Sequence, residues 1–150
     1  MFDITKQYAT DTAAIHLKGL DGEPLYDEGK PVQIVIYGPG SQAHAQMKAR
    51  QTNRILKRME ENDGKMKAAP FEQQEIETAE DLASITVSFE NLVYPPAQEL
   101  TGTEKFKMLY LDRKLGFITQ QVVKASGEWG NFKSAAKKPS ETSSASTSNI

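Results

Sequence analysis

The residues of this sequence that could perform chemistry are few and lie far apart along the chain. Cysteine is absent, which excludes thiolate nucleophiles, disulfides and Cys-ligated zinc. The two histidines, His16 and His44, lack the spacing of metal ligands and fall on different predicted elements. Ser41 lies outside the G-x-S-x-G context of a hydrolase nucleophile, and the carboxylates of Glu60 and Glu61 belong to a polar run. These residues therefore indicate no enzyme class, no metal site and no other cofactor.

One glycine-rich stretch has the location of a phosphate-binding loop. The sequence GPGS at 38–41 joins a predicted strand to a predicted helix, where free helix amides can bind a phosphate. The stretch lacks the lysine and the spacing of a P-loop, and it also lacks the G-x-G-x-x-G pattern. We therefore interpret it as a turn in which the hydroxyl of Ser41 caps the following helix.

The bulk composition is that of one folded domain with nearly balanced charge. The 150 residues include 18 basic and 20 acidic side chains, giving a net charge of −2. A dedicated nucleic-acid-binding domain is usually basic, so this balance argues against one. The sequence has neither an apolar run that could span a bilayer nor a signal-peptide pattern at its start, so we expect a soluble cytoplasmic protein without a membrane partner.

The apolar periodicity predicts an α+β domain at 13–133, preceded by an arm at 1–12 and followed by a disordered Ser/Thr-rich tail at 134–150. A small antiparallel sheet of two or three strands is expected at 13–37, where apolar residues alternate around an Asp-Gly turn. About four helices should follow, at 41–62, 70–90, 102–111 and 113–126.

The predicted helix at 41–62 has two opposite faces. One is an apolar stripe that we expect to pack against the core: Ala45, Ala49, Thr52, Ile55, Leu56 and Met59. The other is basic and carries Arg50, Arg54 and Arg58. Such a face can contact phosphates or an acidic partner. We interpret it mainly as a solvated surface, because acidic residues follow it directly.

The stretch at 101–132 predicts two short helices and a cluster of aromatic residues. Thr101 and Glu104 have the spacing of a capping box. Asp112 can end the first helix and cap the second, and Gly127 suits a left-handed residue after the second helix. Four aromatic residues are candidates for partner contact, since aromatic anchors dominate interfaces: Tyr110, Phe117, Trp129 and Phe132. For Trp129, a position in the core is an equally good interpretation.

The order of the motifs provides a family resemblance over about residues 13–132. The sequence GEPL at 22–25 is followed by YGPGSQ at 37–42 and by the arginine-rich helix. FENL at 89–92 then ends the predicted helix at 70–90, and GFITQQV and EWGNF close the domain at 116–132. In this order the chain resembles the tail assembly chaperones of long-tailed, lambda-like, non-contractile bacteriophages.

The resemblance implies a function without chemistry. Proteins of that family bind the tape measure protein in the host cytoplasm, keep it soluble, promote tail tube assembly and are absent from the mature virion. The tail tube protein would be a second partner, reached through a longer product of ribosomal frameshifting. The Ala-Lys-Lys sequence at 136–138 is compatible with a slippery codon run. Coating a long rod with repeated copies also makes a homo-oligomer an expectation.

Two other functions remain open from the sequence. The first is a structural connector or tail-completion protein, which would stay in the purified virion where a chaperone would be lost. The second is a nucleic-acid-binding regulator that uses the basic face of helix 41–62. Salt-dependent binding to DNA would support the regulator.

Overall fold

The computed structural model describes residues 1–134, and these form the expected α+β domain. The strands are β1 (Thr12–His16), β2 (Tyr26–Asp27), β3 (Lys30–Pro31), β4 (Gln33–Tyr37) and β5 (Thr86–Glu90). The helices are α1 (Gln42–Glu61), α2 (Phe71–Ser84), α3 (Gly102–Leu111) and α4 (Gly116–Ser126). Short 3₁₀ turns occupy Ile4–Gln7, Pro95–Ala97, Arg113–Leu115 and Trp129–Phe132. The predicted tail, apart from Ser134, and the frameshift motif at 136–138 lie outside the described residues.

The main sheet is antiparallel with the strand order β1-β4-β5. Its inner face follows from the two-residue period of β4, which buries Ile34 and Ile36 completely. Ile15 of β1 and Phe89 of β5 both lie opposite Ile34 and complete this face. The N-terminal sheet predicted from apolar alternation is therefore confirmed, and a strand from later in the chain enlarges it.

The prediction of a helix over the whole range 70–90 is wrong for its last six residues. Helix α2 ends at Ser84, and the chain then enters β5, which pairs with β4. The sequence TVSFE fits a strand because three of its five residues are β-branched or aromatic, whereas the apolar residues also fit a helical stripe. The free edge of β4 decides between them, because it offers β5 a main-chain partner. The FENL motif consequently lies at a strand end.

Helices α3 and α4 cover the inner face of the sheet. The predicted apolar face of α3 is buried, since Leu109 and Tyr110 are 2% and 6% exposed. The hydroxyl groups of Tyr110 and Thr86 lie 2.7 Å apart and share a hydrogen bond within this core. Burial raises the pKa of Tyr110, so its hydroxyl stays neutral over the physiological range. Helix α4 contributes Val122 and Ala125 to the same core.

The helix-end predictions have mixed outcomes. The Ser41 hydroxyl accepts from the amide of His44 as expected. Asp112 ends α3 and accepts from the amide of Lys114, but it caps the 3₁₀ turn Arg113–Leu115, and α4 begins later than predicted, at Gly116, without a side-chain cap. Thr101 makes no capping hydrogen bond, because Gly102 has a φ of +58° and makes the first turn of α3 irregular.

The prediction of a left-handed residue after α4 is also wrong. Gly127 has a φ of −97° and a ψ of −3°, in the right-handed region. Its amide still closes the helix, by donating to the carbonyl groups of Ala125 and Lys124. The last turn of α4 therefore continues without the reversal that would require glycine.

Phe132 fixes the end of the described chain to the start of the GPGS turn. Its ring is 1% exposed and lies over Gly38, where the Cβ atom of any other residue would come within 2.5 to 2.7 Å of the ring carbons. The amide of Thr10 donates to the Phe132 carbonyl group over 2.8 Å. Gly38 is thus required for space, because any larger residue displaces the ring.

We predict that Gly38→Ala destabilises the fold by about 1 to 3 kcal/mol, because overpacking forces the Phe132 ring to move. Gly130→Ala is the matched control, since no atom lies within 4 Å of its added methyl group. The control should stay within about 0.5 kcal/mol of the parent. Urea unfolding followed by circular dichroism measures both, and equal stability of the two variants would contradict the packing described.

Candidate functional site

A row of polar contacts holds α1 against α2. Both oxygens of the Asp81 carboxylate accept hydrogen bonds from the Arg54 guanidinium, in one case over 3.2 Å. The amide of Gln51 donates to the same carboxylate over 3.0 Å. One turn earlier on α2, Glu77 forms an ion pair with Arg58. Asp81 is only 6% exposed, so this row lies inside the helix interface.

The charges in this row stabilise one another. The hydrogen bond to Asp81 raises the pKa of Arg54. Desolvation alone would raise the pKa of Glu77, but the hydrogen bonds from Arg58 and Gln73 and the nearby guanidinium charges outweigh it and lower that pKa. Two of the three arginines of the predicted basic face, Arg54 and Arg58, are therefore paired with carboxylates of α2. Arg50 is the one that remains exposed.

The face of α1 that we expected in the core is the exposed face. The residues of α1 that are buried, His44 and Met47, lie on the side of the ion pairs. The apolar stripe of Ala45, Ala49, Thr52, Ile55, Leu56 and Met59 points outward, and we call it the outer stripe. Leu56 is 54% exposed and Ile55 is 43% exposed, while Met59 is half-buried. Helix α1 takes this orientation because Arg54 and Arg58 form ion pairs with Asp81 and Glu77 on α2, which turns the basic face toward α2 and the apolar stripe toward solvent.

The outer stripe has the spacing of a coiled-coil seam. Five of its residues follow one another at steps of four, three, four and three: Ala45, Ala49, Thr52, Leu56 and Met59. In a coiled coil these steps define the a and d positions, which insert between the side chains of a second helix. The small side chains in the first half of α1 allow close approach, and Leu56 supplies a large apolar group.

The four aromatic candidates lie in different environments. Tyr110 and Phe132 are 6% and 1% exposed, so their proposed role in partner contact is corrected to a role in the core. Phe117 is partly buried and packs against the core. Trp129 is 60% exposed and lies beside the backbone of Gly40, so its interpretation as a core residue is wrong.

The two histidines considered as candidate catalytic or metal-binding residues lie on different elements of the fold. His16 Nε2 lies 2.8 Å from the Leu25 carbonyl oxygen, and the His16 ring packs edge-on against Tyr26. Burial lowers the pKa of His44, and the charge of Lys48 lowers it further. Within residues 1–134, no three His, Asp or Glu side chains form a group that could hold a metal ion.

Two of the three amides of the GPGS turn make hydrogen bonds within the protein. The amide of Gly38 donates to the Asp11 carbonyl group over 2.8 Å, and that of Ser41 donates to the Gly38 carbonyl group over 3.1 Å. The hydroxyl of Ser41 also donates to the Gly38 carbonyl group. These hydrogen bonds support the interpretation of the stretch as a turn with a helix cap.

Comparison with known proteins gives no independent assignment: no family model, curated protein or solved structure matches the chain. None of the helices in the described part of the chain combines the length and apolar character needed to cross a membrane.

The outer stripe of α1 is the candidate site, because it is apolar and exposed. Asp81 is the residue that sequence reasoning missed. The signal was present in the four-residue spacing of Glu77 and Asp81, which matches the arginine spacing on α1.

We predict that Asp81→Ala lowers the free energy of unfolding by about 2 to 3 kcal/mol, because it leaves the part-buried Arg54 without its hydrogen-bonded partner. Glu80→Ala is the control on the same helix. It removes an exposed ion pair to Lys107, which is worth less than about 1 kcal/mol. Chemical denaturation measures the free energy of unfolding of both variants. An Asp81→Ala variant as stable as Glu80→Ala would contradict the claim that the polar contacts between α1 and α2 stabilise the fold.

The lowered pKa of Glu77 predicts a pH dependence with a defined sign. Its ordinary value is 4.5 and its folded value is lower, so the stabilisation is present above pH 4.5 and is lost as pH falls through the folded pKa. Glu77→Gln should therefore cost about 1 kcal/mol at neutral pH and progressively less as the pH falls below 4.5. Denaturant titrations of both proteins across this range give the difference. A difference that grows on acidification would have the wrong sign.

Proposed function

We propose that this protein is an assembly chaperone that binds a long helical polypeptide through the outer stripe of α1. The observation that carries the proposal is an apolar stripe with coiled-coil spacing on a 20-residue helix, in which Leu56, the most exposed of the large apolar side chains, is 54% exposed. The family resemblance supplies the partner, which is the tape measure protein of a long-tailed bacteriophage. The reaction is binding alone and uses no cofactor.

The proposed interaction is helix against helix. A tape measure protein is a long helix whose apolar side chains are exposed before assembly, and exposed apolar patches promote aggregation. An amphipathic helix docks through anchors at steps of three and four residues, which is the spacing of the outer stripe. Full burial of a leucine side chain contributes about 1.5 to 3 kcal/mol. Leu56 is therefore the expected anchor of the contact.

The charges beside the outer stripe are of both signs. Lys48 and Glu60 are exposed on α1 next to the stripe, and neither takes part in an ion pair between described residues. Charge complementarity at the rim of an interface accelerates association and selects the partner. We therefore infer that the bound segment of the tape measure protein carries charges of both signs beside its apolar residues.

The pairing of the arginines bears on the alternative of a nucleic-acid-binding regulator. Arg54 and Arg58 are committed to Asp81 and Glu77, which removes two cations from the track that would follow a phosphate backbone. Under the chaperone proposal the protein acts in the host cytoplasm and is lost from the mature virion. A homo-oligomer and a longer product that reaches the tail tube protein belong to the same proposal. Retention in purified virions would instead favour the structural connector.

The test is co-expression with the tape measure protein of the same genome, scored by the fraction of that protein in the soluble lysate. The wild-type chain should raise this fraction several-fold. Leu56→Glu should abolish the effect, because it places a charge in the middle of the apolar stripe. Gln46→Glu introduces the same charge at an exposed site of α1 outside the stripe and should retain the effect.

Thermal denaturation of both variants shows whether the fold is intact. Because Leu56 and Gln46 are both exposed, their melting temperatures should lie close to that of the wild-type protein. Loss of activity in Leu56→Glu with an unchanged melting temperature supports the proposal. Solubilisation that is equal for Leu56→Glu and wild type would overturn it.

A further inference from the structure

The second surface that stands out is the free edge of β1, which is an outer strand of the sheet. The amide of Gly38 donates to the Asp11 carbonyl group, and the amide of Leu17 donates to the Val32 carbonyl group. These two hydrogen bonds show that the main-chain N–H and C=O groups of the odd-numbered residues point toward β4. The main-chain groups of the even-numbered residues of β1, which are Thr12, Ala14 and His16, therefore point away from the sheet.

The chain itself closes both ends of this edge. At one end, the amide of Thr10 donates to the Phe132 carbonyl group over 2.8 Å. At the other end, the side-chain amide of Gln121 accepts from the Lys18 amide and donates to the Lys18 carbonyl group, each over 2.8 Å. Gln121 thus makes the two hydrogen bonds that a peptide group of a neighbouring strand would make.

The middle of the edge stays open. The Thr12 carbonyl group accepts from the Thr10 hydroxyl over 2.9 Å. The outward amide and carbonyl groups of Ala14 have no hydrogen-bond partner within the described chain. Unpaired edge groups of this kind are a template for an added strand. The open length corresponds to one short extended segment.

A groove of about 1040 Å³ runs beside the open edge, between the N-terminal arm and the 3₁₀ turn Trp129–Phe132. Its walls carry two exposed aromatic side chains, since Tyr8 is 74% exposed and Trp129 is 60% exposed. The charged residues that line it are Lys6 and Lys133, and no Asp or Glu among the described residues lines it. The groove therefore combines free main-chain groups, apolar walls and positive charge.

We propose that this groove binds a short extended segment of another protein, which adds as a strand to β1 and carries acidic side chains. Main-chain hydrogen bonds to Ala14 provide the pairing, as in other cases of strand addition. Lys6 and Lys133 attract the carboxylates, and Trp129 and Tyr8 cover the alternate apolar side chains. The inference goes beyond the proposed function, because it concerns different residues and a partner in a different conformation.

The end closures favour a peptide over a second copy of the chain. Antiparallel pairing of two β1 strands about Ala14 would place Thr10 of one copy opposite Lys18 of the other. Those positions are already taken by the Phe132 carbonyl group and by the side chain of Gln121. A short peptide fits between the two closures without displacing either.

The probe for the test is an acetylated pentapeptide of alternating glutamate and valine, titrated into the full chain. Trp129 is the single tryptophan of the sequence, so its fluorescence reports on the groove alone. Saturable binding with a shift of the emission to shorter wavelength is expected. Replacing the glutamates of the peptide by lysine, or methylating its peptide nitrogens, should weaken binding at least tenfold.

Variants of the protein separate the contributions. Lys6→Glu/Lys133→Glu should weaken binding at least tenfold, whereas Lys65→Glu/Lys67→Glu makes the same charge change at exposed sites outside the groove and should stay within twofold. Ala14→Pro removes an outward amide and leaves the hydrogen bonds to β4 in place, so it should also weaken binding at least tenfold. Leu56→Glu should bind the peptide normally, which keeps this test separate from that of the outer stripe.

Three results would overturn the proposal. The first is no binding of the glutamate–valine peptide at millimolar concentration. The second is an equal loss of affinity in the Lys65→Glu/Lys67→Glu control. The third is a dimer in light scattering that Ala14→Pro dissociates, since the edge would then be occupied by a second copy of the chain.

Discussion

The contact between Arg54 and the buried carboxylate of Asp81 determines how α1 lies on the protein. A helix with one apolar and one basic face normally buries the apolar face. Here α2 presents Glu77 and Asp81 at a spacing of one turn, and they bind Arg58 and Arg54. Because removing one partner of such a pair leaves an uncompensated charge, the arrangement is self-reinforcing. Its consequence is that Leu56 and the rest of the outer stripe face solvent.

The sequence predicts those features that depend on local patterns. The two-residue period of β4, the bounds of α1 and α3 to within one residue, and the cap at Ser41 all follow from neighbouring residues, and all are present. Two local predictions fail, the capping box at Thr101 and the left-handed residue at Gly127. The larger errors concern features decided by distant residues. The strand character of β5 depends on the free edge of β4, about 50 residues earlier in the chain. The orientation of α1 depends on Asp81, which cannot be assigned to the α1 interface from periodicity alone.

The positions of the aromatic residues also depend on contacts with distant parts of the chain. Composition marks Tyr110, Phe132 and Trp129 as equally good anchors, but their surroundings separate them. Tyr110 is held in the core by its hydrogen bond to Thr86, and Phe132 fills the space that Gly38 leaves open. Trp129 remains on the surface beside the edge of β1. The two surfaces that we propose as binding sites therefore suit different conformations of a partner, a helix at α1 and an extended segment at β1.

Cysteine accessibility tests the central claim about α1 most directly, because the sequence contains no cysteine. Single variants Leu56→Cys and Met47→Cys place a thiol on the outer and the inner face of the same helix. We expect a maleimide to label Leu56→Cys rapidly and Met47→Cys slowly in the free protein, and we expect the tape measure protein to protect Leu56→Cys. Slow labelling of Leu56→Cys in the free protein, or no protection by the partner, would contradict the proposed orientation and role of α1.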